Sequence, residues 1–536
     1  LYSISDGGTW NNSKIDFTVM MGNGTNPASA YDANGNILSM TQKGMKGKIP
    51  GTIDQLTYTY QQNQISNKLQ GVVDAVNDPS TTLGDFREIN GTGNNDYTYD
   101  TSGNLKSDFN KNIRAITYNH LNLPQSIAIT GKGSIAYRYD AIGNKLEKIV
   151  TDSTGPVVKV TTTDYINGFV YENDTLQFLT HEEGRIRTVI KTGQPVAYQY
   201  DYFIKDHLGN IRVVLTEQSD AGIYAATMET ASAPAENALF SNIDNTRTSK
   251  PVGYPVDATT SPNDYVARLN ATNGQKIGPS LVLRVMAGDT LQIGSKAFYK
   301  STAANTPATT TTDMLAALLQ AFGGGGVRDG AHTGSGPGSP LAVTFNNSAY
   351  DNLKQQDPSQ NLPDKPRSYL NYALFDDQFM MVNENSGVKQ VQGTPDVLQT
   401  LATDKMVIKK TGFIYIYTSN ESAQDVFFDN LVVLHSSGPL LEETHYYPFG
   451  LTMAGISSSA LKGANYPENK YKFNKGSELQ SKEFSDGAGL ELYATPLRSL
   501  DPQLGRWWQI DSKPDYAQSV YSAMSNNPIL LNDPLG

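Results

Sequence analysis

The sequence holds no cysteine among its 536 residues. That absence excludes disulfides, thiolate metal sites, iron–sulfur clusters and cysteine nucleophiles together. It leaves the compartment open, because an exported protein can also lack cysteine. No apolar run approaches the roughly 18 residues of a membrane-spanning helix. Charge is scarce too. Asp, Glu, Lys and Arg make up 18% of the chain, below the usual quarter. The 42 basic and 53 acidic residues leave a net −11, which disfavours a nucleic-acid binder. Tryptophan occurs only at positions 10, 507 and 508. No charged-then-apolar leader follows Leu1, so the chain is expected to be a piece of a longer one.

Tyrosine (30) and glycine (47) are abundant, alongside Asn, Thr and Ser. Tyr and Thr suit strands, and Gly and Asn suit turns, so composition predicts an all-β protein. The first third repeats itself. Tyr31-Asp-Ala-Asn-Gly-Asn-Ile37 returns as Tyr99-Asp-Thr-Ser-Gly-Asn-Leu105 and as Tyr139-Asp-Ala-Ile-Gly-Asn-Lys145. Weaker copies are Tyr118-Asn-His-Leu-Asn-Leu-Pro124, the strand-like Leu56-Thr-Tyr-Thr-Tyr60 and Asp206-His-Leu-Gly-Asn-Ile211. Residues ahead of each Tyr alternate as in a half-buried strand. The Asp then starts a turn through its side-chain oxygen, and Gly-Asn supplies positive-φ positions for a tight hairpin. Repetition of this unit predicts a continuous antiparallel sheet that curls or stacks.

From about residue 219 to 437 the repeat vanishes. Short alternating stretches replace it, such as Ser280-Leu-Val-Leu-Arg-Val285 and Gly412-Phe-Ile-Tyr-Ile-Tyr417, and predict an inserted β-sandwich. One helix is expected over Thr312 to Phe322, capped by Thr312 or Asp313. The Gly-, Ser- and Pro-rich stretch 323–340 reads as a loop or plain linker. No tryptophan falls in this region, so no aromatic sugar platform stands out.

The Tyr-Asp repeats resemble those of the Rhs/YD-repeat family, whose repeats wind into a hollow β-cage or cocoon. The resemblance covers roughly 1–215, within an expected cage segment 1–218, and resumes over about 438–536 with Gly438-Pro-Leu-Leu-Glu-Glu-Thr-His-Tyr-Tyr-Pro-Phe-Gly450. The insert at 219–437 looks like a jelly-roll module of that family. The strongest match is Arg498-Ser-Leu-Asp-Pro-Gln-Leu-Gly-Arg-Trp-Trp-Gln-Ile-Asp511, followed by Asn526-Asn-Pro528 and Asn532-Asp-Pro-Leu-Gly536. This is similar to the family's C-terminal core domain. In many members that domain is an aspartyl autoprotease that cuts its own chain just past the final motif.

By resemblance, Asp511 and Asp533 are the carboxylate pair, Arg498 their charged neighbour, and Pro534, Leu535 and Gly536 the cleavage motif. Asp515 is the competing register for Asp511, because Asp511-Ser-Lys-Pro-Asp515 departs from the family's text there. Two acids are needed for a chemical reason. One takes a proton from water and the other gives one to the carbonyl oxygen, and two close carboxylates do not both ionise readily. An adjacent Arg would favour ionisation of the carboxylate it touches and so select the base. Asp501 lies in an Asp-Pro-x-x-Gly text and reads as a turn residue. Trp507 and Trp508 are neighbours on a strand, so one ring is expected in the core and the other facing away.

No cofactor or metal site is expected. The six histidines (120, 181, 207, 332, 435 and 445) lack ligand spacing, and no D-x-D-x-D-G calcium loop occurs. The resemblance implies a bacterial secreted or cell-surface shell that holds and delivers its own C-terminal passenger, usually a toxin, through secretion machinery or another delivery apparatus. No turnover enzyme is expected, and the single self-cleavage stays open. The alternative is an adhesive surface protein with an inactive core domain, its insert binding a glycan or surface ligand.

Overall fold

Four aspartates close the same loop. Asp32, Asp100, Asp140 and Asp206 each share three hydrogen bonds with the Asn four residues on. The Asp N–H donates to the Asn carbonyl at 2.9–3.0 Å. The Asn N–H returns to Asp Oδ1 at 2.8–3.0 Å, and Asn Nδ2 donates to Asp Oδ2 at 2.7–3.1 Å. The Gly before each Asn has positive φ, +92° at Gly103 and +94° at Gly143, a region that an L side chain enters only with strain. In the copy at Asn119, Asn122 takes the positive φ instead.

The tyrosines tie the hairpins together. Tyr60 donates its hydroxyl to the Ile37 carbonyl (2.8 Å), Tyr118 to Leu105 (2.5 Å), Tyr139 to Pro124 (3.0 Å) and Tyr446 to Ile211 (2.6 Å). Each acceptor is the residue directly after one of these loops. The repeat therefore encodes both a turn and a strap across the preceding turn.

The computed structural model describes residues 4–6, 9–11, 15–46, 49–78, 84–91, 95–191, 193–300, 307–324, 345–377, 379–460, 466–515 and 517–536. The fold is all-β, with several antiparallel sheets. It divides into two units, Leu1–Glu217 with Leu441–Gly536, and Gln218–Leu440.

In the first unit a 14-stranded sheet runs in chain order from Tyr97–Tyr99 to Ile211–Thr216. It then adds Leu440–Glu443 and Ser458–Ser459. Among the described residues its two end strands do not pair, so the sheet is open and not a closed cage. Two four-stranded sheets accompany it, one over Val19–Asp74 and one over Glu478–Trp507. Leu56, Tyr97, Ile116, Ile135, Leu492, Leu500 and Trp507 from all three share one core.

In the second unit two sheets stack face to face. Leu283, Leu374 and Ile414 from a five-stranded sheet meet Ile293, Phe428 and Val433 from a seven-stranded one. The other face of the five-stranded sheet carries Val282, Tyr415 and Tyr417. They pack on Met314 and Leu318 of helix Thr311–Gly324 and on Tyr350 and Leu353 of helix Asn347–Gln355. Strand Ile277–Val285 is thus covered on both sides, and all nine of its residues are buried. The cap of the first helix is Thr310, not Thr312 or Asp313. Its Oγ1 accepts the Asp313 N–H at 3.1 Å and donates to Asp313 Oδ2 at 2.8 Å, a reciprocal cap. The expected loop over 323–340 falls outside the described residues from 325 onward.

Both tryptophans of the final motif are buried in the same core, contrary to the expectation that one faces away. The strand there is only Arg506–Trp507. Alternation ends at Trp507, so nothing forces Trp508 to the opposite face.

Candidate active site at the C-terminal motif

Strand Ser499–Asp501 pairs with Arg506–Trp507 through the turn Asp501-Pro-Gln-Leu-Gly505. Asp501 Oδ1 accepts the N–H groups of Gln503 and Leu504, each at 3.1 Å. Its other oxygen stands 3.3 Å from Lys111 Nζ. Asp501 is thus a buried turn residue, and it belongs to the scaffold of the site.

Arg498 precedes that strand and is 5% exposed. Its guanidinium lies over the Trp507 ring, 4.6 Å from the centroid. Nη1 donates to the Val520 carbonyl at 3.3 Å, and the same carbonyl accepts the Asp511 N–H at 3.0 Å. Nη2 contacts both acids, with Asp511 Oδ2 at 3.0 Å and Asp533 Oδ2 at 3.1 Å. Burial lowers the proton affinity of Arg498, and the two carboxylates partly restore it. The arginine touches both acids at nearly equal distance, so it does not by itself select one as base. Asp515 stands in its own turn, its Oδ1 accepting the Ala517 N–H at 3.0 Å. It is Asp511 that Arg498 contacts.

Asp533 is positioned through its backbone. Its N–H donates to Asn474 Oδ1 at 2.7 Å, and Asn474 Nδ2 donates back to its carbonyl. Asn474 is in turn held by Asn210 Oδ1, which accepts its N–H at 2.7 Å. Asn532 Nδ2 donates to the Leu208 carbonyl at 2.8 Å. One Tyr-Asp-type loop, Asp206 to Asn210, therefore anchors the acid-bearing tail. Reading the sequence did not single out Asn474 or Asn210. The one signal was the diverged Asp206-His-Leu-Gly-Asn copy.

The tail then folds back on the Arg498 turn. The Gly536 N–H donates to Asp533 Oδ1 at 3.0 Å, and the Leu497 N–H to the Leu535 carbonyl at 2.9 Å. Gly536 has φ +89°, and a Cβ there would stand 2.2 Å from Thr495 Oγ1 and 2.9 Å from the Arg498 nitrogen. Pro534 and Arg498 are among the residues lining a cavity of about 680 Å³. Its wall includes Tyr137, Tyr139, Tyr165 and the buried Glu478. The side chains of Asp511 and Asp533 are 29% and 32% exposed, so each keeps a flank that water reaches. The arrangement offers two carboxylates on one guanidinium nitrogen, water access, and a backbone amide hydrogen-bonded to one acid.

No protein-family model matches the chain, and no curated protein matches it. Solved structures give distant likenesses. The Photorhabdus luminescens Tc holotoxin pore is 11% identical over 94% of this chain and 23% of its own, with a TM-score of 0.23. TcdB2-TccC3 without its hypervariable C-terminal region is 13% identical over 95% of this chain and 23% of its own, TM-score 0.20. The CBM22-1 and GH10 modules of Clostridium thermocellum xylanase 10B, complexed with xylohexaose, are 9% identical over 37% of this chain and 26% of theirs, TM-score 0.19. The chain spans about a quarter of the length of these structures. At such scores the likenesses carry no argument about activity.

Proposed function

We propose that this chain is part of an Rhs-type β-shell that holds and delivers its own C-terminal passenger, freed by one self-cleavage just after Gly536. The observation that carries the reading is the shared nitrogen. Asp511 and Asp533 meet on Arg498 Nη2, and Asp533 also accepts the Gly536 N–H.

The chemistry follows from that arrangement. Protonating one carboxylate loosens it from Arg498, and the guanidinium then serves the other alone. The ionised acid takes a proton from water as the water oxygen attacks the Gly536 carbonyl carbon. The protonated acid gives its proton to the carbonyl oxygen. Collapse of the tetrahedral intermediate breaks the C–N bond: one of its hydroxyls returns a proton to the acid that had given it, and the leaving amine takes the proton held by the base. One water is consumed. Because the scissile bond is in the same chain, effective concentration is high and modest acid–base chemistry suffices for a single turnover. The shell is then a secreted or surface-exposed bacterial protein whose partners are its passenger and a delivery apparatus.

Intact-mass measurement of the full-length gene product tests this. We expect a break just past Gly536, slowed about 100-fold or more in Asp511→Asn and in Asp533→Asn. A wild-type chain that stays whole under native conditions overturns the reading and favours the adhesive surface protein.

A further inference from the structure

Away from the C-terminal motif, three aspartates converge inside the first unit. Asp54 lies in strand Ile49–Tyr60, Asp74 ends the adjoining strand Leu69–Asp74, and Asp85 precedes Phe86 at the far end of the connection that follows. One carboxylate oxygen from each lies within 4.8 Å of those of the other two. The residues are 0%, 5% and 6% exposed. Burying like charges together costs hydration and adds repulsion, so such a group demands a counter-charge or a proton.

The hydrogen bonds around Asp54 and Asp74 come from neutral donors. Asp54 accepts from Gln42 Nε2 at 2.9 Å and from the Phe86 N–H at 2.7 Å. Asp74 Oδ1 accepts the N–H groups of Gln55 at 2.8 Å and Val76 at 3.1 Å. Asp74 Oδ2 is buried with no hydrogen-bond partner among the described residues, although buried acceptors are almost always satisfied. Asp54 and Asp74 are thus held by neutral donors, and Asp74 keeps an acceptor to spare.

We propose that Asp54, Asp74 and Asp85 bind a calcium ion. The donors are all carboxylate oxygens, the set that selects hard cations over zinc or copper. They come from two strands and a loop end, an irregular set that calcium tolerates, whereas magnesium demands near-octahedral geometry and keeps several waters. The ion would staple both ends of the connection between Asp74 and Asp85 to the neighbouring strand. No short-range motif announces the site, because its ligands do not share one loop.

The test uses the full chain stripped with EDTA. Titration calorimetry with calcium should find one ion per chain, and calcium should raise the melting temperature. Terbium should bind the same site and luminesce through Tyr58 and Tyr447, both of which feel the Asp54 charge. Asp74→Asn keeps the acceptor for Gln55 and Val76 but removes charge. It should weaken calcium at least about 100-fold, the upper end of what even an outer-shell loss costs. Asp54→Asn should melt higher than wild type in EDTA, because repulsion is relieved, and lose the calcium shift. No calcium heat or terbium signal in the wild-type chain would overturn the proposal. So would undiminished affinity in Asp74→Asn, or magnesium binding as tightly as calcium. A melt governed by pH alone and indifferent to calcium would assign the cluster to proton sharing instead.

Discussion

Gly536 is held by sterics as tightly as by hydrogen bonds. Any Cβ would strike Thr495 Oγ1 and the Arg498 backbone, and its φ of +89° is strained for an L side chain. Gly536→Ala should therefore push the tail off the Arg498 turn. A misplacement of about 1 Å can cost on the order of 100-fold in rate, so self-cleavage of the full chain should slow by that order. Leu530→Ala is the control. Leu530 lies outside the cleavage motif and is 67% exposed, so time courses by intact mass should match wild type. Equal rates for Gly536→Ala and wild type would show that the tail geometry does not govern scission. At this scale the long C-terminal motif pointed, through its resemblance, to Arg498, Asp511 and Asp533; the structure brings the three side chains together, and their role in scission is part of the proposal. Asn474 was not legible. It grips the backbone of Asp533 from far along the chain, and a bond to a backbone group leaves no residue-type pattern at its partner.

The hairpin element was legible in its turn and not in its strap. Asp, Gly and Asn at fixed offsets have local reasons that a single copy reveals. The tyrosine hydroxyl instead reaches the carbonyl after the preceding loop, a tertiary contact that only the folded sheet makes visible. Helix Asn347–Gln355 was missed for a related reason. Only Tyr350 and Leu353 form its buried face, too few for a helical period to register. The strap makes its own prediction. Tyr446 is buried and donates to the Ile211 carbonyl at 2.6 Å. Tyr446→Phe should cost about 1–3 kcal/mol, because the carbonyl is left unsatisfied in the interior. Tyr202→Phe removes only a surface bond to Glu217 and should cost under about 0.5 kcal/mol. Urea titration of both variants decides it. Equal midpoints would mean that the straps do not hold the repeats.

Across the whole molecule, composition announced strands but not which strands share a sheet. The sandwich of the second unit depends on pairings between segments far apart in the chain, such as Thr290–Tyr299 with Val426–Ser436. The same topology bears on autonomy. The first strand of that unit, Ala221–Ala226, pairs with its last, Val426–Ser436, with Ala221 opposite Ser436. Its two ends are therefore adjacent, and residues 218–440 should fold alone. Asp429 supplies the readout for that fragment. It is 1% exposed, and burial pushes its carboxyl up to about 7, with Lys250 pulling partly back. In the unfolded chain it titrates near about 4. Between those values the folded fragment holds a proton that the unfolded one has lost. The stabilisation is complete below the lower value and disappears as pH rises through the upper one. The isolated fragment should melt cooperatively, at a higher temperature near about pH 5 than near about pH 8. Asp429→Asn keeps an acceptor for the Asn430 N–H and should flatten that difference. An unchanged slope would remove Asp429 as its source, and a fragment without a cooperative melt would show that the unit does not fold on its own.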